Sequence, residues 1–143
     1  MKSEALTKLL HDTVAEFRAD MGTLHLLDAR DGQLHLAALV GEVPPPVRQM
    51  IAVIPIGKGI AGETAQRRAP VSICNIQRDE SGVTRPAAKT IGTQGALCVP
   101  ILDDDRLIGT LGIGCNGERT FSEEETKRLL AIAKECAANL PSP

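Results

Sequence analysis

Tryptophan and tyrosine are absent from this sequence, and phenylalanine occurs only at positions 17 and 121. A chain this poor in aromatics has no platform for stacking bases and no cage for quaternary amines. It also lacks an excess of positive charge. Sixteen Lys and Arg stand against eighteen Asp and Glu, a net charge of −2. Nucleic acid is not expected as a partner, because neutralising phosphates needs a basic face. The longest uncharged run, Thr90–Leu102, is well short of the ~18 apolar residues of a membrane span. Residues 1–20 carry Lys2, Glu4, Lys8, Asp12, Glu16 and Arg18, so no apolar signal segment is present there. The four cysteines (74, 98, 115 and 136) form no C-x-x-C and share no zinc-like spacing with histidine. Reduced thiols and a cytoplasmic location are the expectation, with no membrane contact.

What remains is 143 residues, 43% hydrophobic and 24% charged, an ordinary composition for one globular domain. Leu6, Leu10, Val14 and Phe17 recur at three- and four-residue steps and predict a helix over 3–19, ended by Met21-Gly22. Two strands, 23–28 and 33–40, flank an Asp31-Gly32 turn. After the Pro44–Pro46 break come a helical turn at 47–51, a short strand at 53–56, a helix at 60–68 and a strand at 71–76. Residues 77–94 are polar and rich in turn formers, with a helical turn expected at 86–90. A loop of this length in a compact domain is usually a binding loop or lid. Strands at 95–102 and 106–115 form the clearest hairpin. Ser122-Glu123-Glu124-Glu125 is a capping box opening a helix that Pro141 stops. The order predicts an α+β fold, one mostly antiparallel sheet sandwiched between helices.

Five stretches in register resemble the GAF domain family: Ile56-Gly57-Lys58-Gly59-Ile60-Ala61-Gly62, Ala69-Pro70-Val71, Leu97-Cys98-Val99-Pro100-Ile101, Leu107-Ile108-Gly109-Thr110-Leu111 and Phe121-Ser122-Glu123-Glu124-Glu125. The resemblance runs over nearly the whole chain and implies a single, stand-alone GAF-like domain over 1–143. Its parts would be a first helix at 3–19, sheet and pocket at 23–116 and a last helix at 122–140. It implies a five- or six-stranded antiparallel sheet, with the terminal helices on one face and a small-molecule pocket on the other. Residues 75–94 would form the pocket roof. GAF domains mostly sense small ligands and signal through their terminal helices. Some bind cyclic nucleotides, tetrapyrroles or small ions, and one branch is enzymatic.

Gly57-x-Gly59-x-x-Gly62 matches the dinucleotide fingerprint, with Asp79 placed as a ribose-binding acid would be. The helix that follows is too short for a βαβ crossover, so the glycines are read as serving a tight turn and close packing. Residues 58–94 hold six basic and three acidic side chains, a local +3 that leaves −5 on the rest. This contrast favours a small polar or anionic ligand under the roof. Arg85 is stiffened by Pro86, and Asn75 and Gln94 flank the roof with amide groups. The candidate ligand-binding residues are therefore Asn75, Asp79, Arg85, Lys89, Gln94 and Cys98. No catalytic residue and no metal ligand is singled out, and no cofactor is identified.

Cys74 and Cys98 lie on strands expected to be neighbours. They read either as a thiol redox pair or as core filling, and core filling is favoured. The enzymatic branch, the free methionine-(R)-sulfoxide reductases, carries a Cys in its G-x-G-V-C-G turn where this chain has Ala61. The Asn-Lys-Phe signature of cyclic-nucleotide GAF domains and a bilin-attachment cysteine are also missing. His11, His25 and His35 have no evident partner. The resulting expectation is a non-catalytic sensor, with a signalling protein as partner. The alternatives are a thiol-dependent reductase and a dimerisation module without ligand. The stripes on the first and last helices look wide enough to support a homodimer.

Overall fold

A computed structural model of the chain describes residues 3–74 and 94–140. The elements run α1 (Ser3–Glu16), β1 (Met21–Asp28), β2 (Gln33–Val40), α2 (Pro45–Ala52), β3 (Val53–Ile54), α3 (Gly59–Arg67), β4 (Val71–Ile73), β5 (Gly95–Asp103), β6 (Arg106–Cys115) and α4 (Glu123–Ala138). Six strands form one sheet in the order β3-β2-β1-β6-β5-β4, and every pairing is antiparallel. As the sequence predicts, β5 lies between β4 and β6. Among the described residues no parallel βαβ unit follows β3, because β3 pairs with β2 and β4 with β5, both antiparallel.

The first helix ends earlier than Met21-Gly22. Arg18 adopts a left-handed conformation (φ 52°), and the amide of Ala19 closes back on the Val14 carbonyl at 2.9 Å. Gly22 serves packing instead. A Cβ there would stand 2.6 Å from Val14 Cγ2 and 2.9 Å from Leu10 Cδ1, so its bare backbone lets α1 lie close on β1. Around α3 the fingerprint glycines do what the packing reading requires. Gly57 and Gly59 have positive φ, and a Cβ on Gly62 would stand 2.5 Å from the Pro55 carbonyl oxygen.

Leu24, Val99 and Leu111 lie in one row across β1, β6 and β5 and face the helices. Leu6, Leu10, Val14 and Phe17 pack onto this face from α1 and the turn after it. Leu129, Ile132, Ala133 and Cys136 pack onto it from α4. α1 lies over β1 and β2, and α4 over β5. Each fully buried leucine here contributes ~1.5–3 kcal/mol. The two stripes whose width points to a helical dimer in the sequence are thus buried within the chain, where they cover its own sheet.

Ser122 accepts from the Glu125 amide at 3.1 Å, and Glu125 Oε1 accepts from the Ser122 amide at 3.0 Å, which forms the expected capping box. Among the described residues, no helix is long and apolar enough to cross a membrane.

Candidate functional site

The sheet face turned away from α1 and α4 is built differently. Strand alternation puts Thr23 and His25 of β1 on it, with Thr110 and Gly112 of β6 and Cys98 and Pro100 of β5. The register sets them in two rows. Thr23, Gly112, Cys98 and Val71 form one, and His25, Thr110 and Pro100 the other. None of these side chains is charged. α3 lies over part of this face with Thr64 and Ala65 buried. Ala65 joins Leu34, Ile54 and Leu107 in a second, smaller core.

Polar groups are concentrated on this floor. His25 is 2% exposed, and its Nε2 lies 2.8 Å from the Ile51 carbonyl at the end of α2. A carbonyl only accepts, so Nε2 carries the proton and Nδ1 presents a lone pair. Burial lowers the His25 pKa and keeps the ring neutral, although the Ile51 hydrogen bond opposes the shift. Thr64 donates its hydroxyl to the Ile60 carbonyl at 2.7 Å. Thr110 sits directly opposite His25 and is 1% exposed. Thr110 Oγ1 and His25 Nδ1 are both buried without a hydrogen-bond partner among the described residues. At Gly112 the missing side chain leaves a bare strip. Thr23 Oγ1 and Cys98 Sγ lie 3.3 and 3.6 Å from where its Cβ would stand.

The sequence candidates are distributed as follows. Cys98 lies on this floor and is 4% exposed. Burial pushes its thiol up to about 11, which the Thr64 and Thr110 hydroxyls beside it offset only in part. It is therefore a protonated, inert thiol at neutral pH. Cys74 is not brought to it. Val71, three residues earlier, stands opposite Cys98, while Cys74 is exposed and its sulfur accepts from Thr120 Oγ1. Gln94 is half-buried, and its backbone N–H donates to the Cys115 carbonyl at 2.7 Å. Asn75, Asp79, Arg85 and Lys89, the turn expected at 86–90 and Pro141 lie outside the described residues. Arg68, just past α3, turns its guanidinium to the Asp105 carbonyl in the β5–β6 turn rather than to the end of its own helix.

Two further partnerships escape a reading of the sequence. His35 and His25 lie on opposite faces, since Leu26 pairs with His35 and Leu36 with His25. His35 meets Asp31 at 2.7 Å, with Asp28 beside them at the tip of the hairpin. Both carboxylates are already engaged there. Arg30 holds Asp28 at 2.9 Å and lowers its pKa to about 2, and Asp31 accepts from the Gln33 amide.

The second is Arg119. Its amide donates to the Cys74 carbonyl at 3.2 Å, and the Gly95 amide donates to the Gly117 carbonyl at 3.1 Å. Both ends of the 75–94 segment are thus tied to the turn after β6. The Arg119 guanidinium donates to the Phe17 carbonyl after α1 and to Glu125 in the first turn of α4, each at 2.6 Å. It also lies 4.5 Å over the Phe121 ring. Phe17 and Cys74 lie 102 and 45 residues from Arg119, so no local pattern announces these two.

A curled antiparallel sheet with the two terminal helices on one face and a buried polar floor, partly under α3, on the other is the architecture of a general ligand-binding and regulatory class. The GAF domain family model matches residues 2–140, so the chain belongs to the GAF domain family. Among curated proteins none matches. The GAF domain of a Coxiella burnetii phosphoenolpyruvate-protein phosphotransferase is similar, with a TM-score of 0.81 and 24% identity over 95% of this chain and 80% of that one. The corresponding Acinetobacter domain gives a TM-score of 0.79 and 20% identity, with 95% and 80% covered. The type II free methionine-R-sulfoxide reductase of Thermoplasma acidophilum gives 0.76 and 20%, with 94% and 89% covered.

Proposed function

We propose that this chain is a non-catalytic sensor domain that binds a small polar or anionic molecule between the floor described above and the 75–94 segment. Binding is passed to a signalling partner through α1 and α4. The observation that carries this reading is the junction at Arg119. One residue holds the Cys74 end of the binding segment by its backbone and the ends of both terminal helices by its side chain. Any change in the segment on ligation bears on both helices.

Arg85 and Lys89 supply the cationic end of the site, with Asn75, Asp79 and Gln94 as hydrogen-bonding partners. Reductase chemistry is disfavoured by Ala61 in the glycine turn and by the inert Cys98 thiol. The free cysteines fit a cytoplasmic setting. Calorimetric titration of phosphate and of small mono- and dicarboxylates tests the site. An arginine hydrogen bond to an anion is worth ~1.5–3 kcal/mol, so Arg85→Ala weakens binding about ten- to a hundredfold. Arg68→Ala, which removes a contact to the β5–β6 turn, leaves affinity unchanged. Equal losses in the two variants would mean diffuse charge and would overturn the reading.

A further inference from the structure

We propose that His25 Nδ1 and Thr110 Oγ1 form a subsite in the floor of this pocket, which takes an uncharged group offering one hydrogen-bond donor and one acceptor, as a primary carboxamide does. The inference rests on the reading that the pocket lies on this face of the sheet, and it assigns the end of the ligand that the cationic segment does not read.

The chemistry follows from the two atoms. His25 Nδ1 can only accept, because Nε2–H is committed to the Ile51 carbonyl. The Thr110 hydroxyl stands directly across the β1–β6 ladder, with no nitrogen or oxygen partner among the described residues and only the Cys98 sulfur beside it. The Cys98 sulfur beside it is only a weak acceptor. Side chains opposite each other on one face of an antiparallel pair lie ~4.5–5.5 Å apart at Cβ, close enough for one small group to meet both. A carboxamide N–H satisfies the imidazole nitrogen while its C=O accepts from the threonine.

Burial argues that the pair is kept for a partner. Buried polar atoms in native proteins are almost always hydrogen-bonded, and each exception calls for an explanation. Here two exceptions stand side by side at 2% and 1% exposure. Valine at 110 would fill similar space with no hydroxyl left unsatisfied, and His25 spends only one of its two ring nitrogens on the Ile51 carbonyl. The rows around the pair contain no Lys, Arg, Asp or Glu, so a carboxylate or phosphate placed here would be a buried, unpaired charge. The bare strip at Gly112, flanked by Thr23 Oγ1 and Cys98 Sγ, continues the polar floor beside the pair.

The test is an NMR titration of the full chain labelled with 15N-histidine, with acetamide as the probe and acetate as the charged control. Acetamide is expected to move the His25 Nδ1 resonance saturably, and acetate is expected to leave it in place. Thr110→Val raises the acetamide dissociation constant at least tenfold, and Thr110→Ser, which keeps the hydroxyl, restores it. A His25 resonance that ignores acetamide, or responds equally in Thr110→Val, overturns the subsite. If phosphate binding depends on Arg85 while His25 stays silent, the subsite is wrong and the sensor reading stands. If His25 responds while no anion binds, the subsite stands and the anionic reading falls.

Discussion

The backbone amide of Arg119 donates to the carbonyl of Cys74, the residue after β4, across 45 residues of chain. The same arginine, by its side chain, bonds the residue that follows α1 and the first turn of α4. One residue therefore ties the end of β4 to the helical layer. Arg119→Ala removes three side-chain partners and leaves the Phe17 carbonyl without its donor. Hydrogen bonds to charged groups contribute ~1.5–3 kcal/mol, and a loss in that range should appear as a lower urea midpoint. An unchanged midpoint would show that the junction is not structural.

The thiols should differ sharply in reactivity. Cys74 is exposed, whereas Cys98, Cys115 and Cys136 are buried, and burial raises the pKa of both Cys98 and Cys136. A thiol-specific reagent is expected to modify one cysteine in the native chain and four after denaturation. Free methionine sulfoxide is expected not to be reduced with a dithiol present. Turnover that disappears in Cys98→Ser would instead place the chain with the reductases.

Acid should weaken the fold through His25. Its folded pKa is lowered by burial, so below the ordinary ~6.5 the unfolded chain binds a proton that the folded chain resists. Stability is then lost as pH falls from about 6.5 toward the folded pKa, at no more than ~1.4 kcal/mol per pH unit. Asp28 acts in a separate window. Its pKa is lowered to about 2, chiefly by Arg30, so its contribution is present above the ordinary carboxylate range and fades as pH falls through about 2. Urea midpoints at pH 7.5 and 5.5 should drop more for the natural chain than for His25→Gln. Equal drops would assign the acid sensitivity to other groups.

Gly109 lies on β6 opposite Leu26, with no room beside it for a side chain. A Cβ there would stand 2.0 Å from the His25 carbonyl oxygen. Gly109→Ala must push the two strands apart, at a cost of at least ~1–3 kcal/mol by the measure of overpacked cores. Gly117→Ala, with open space around its Cβ, is the matched control. Comparable melting temperatures for the two variants would show that the strands adjust without strain.

Elements that carry their own local signal are legible in the amino-acid sequence. Ser122 and Glu125 announce a capping box three residues apart, and the Asp103–Asp105 turn marks the β5–β6 hairpin. Distant and three-dimensional relations are not legible there. Arg119 bonds Phe17 across 102 residues, which no short pattern reveals. The faces of His25 and His35 depend on the register and on a bulge between Leu24 and His25, which the composition of a turn does not fix. Thr64 and Thr110 are ordinary threonines in sequence and become notable only once buried. The helical stripes are plainly apolar, but their spacing does not say that the chain's own sheet covers them.

The strand order divides the sheet into two halves, 3-2-1 and 6-5-4, each joining strands that are neighbours in sequence. Among the described residues only the β1–β6 ladder unites them, and its partners are more than 80 residues apart. Closing so long a loop is entropically slow, so this seam is expected to zip last in folding. His25 stands on one side of the seam and Thr110 on the other. A molecule that engages both would act as a clamp across it, and occupancy would be recorded as protection of the β1–β6 amides from solvent exchange.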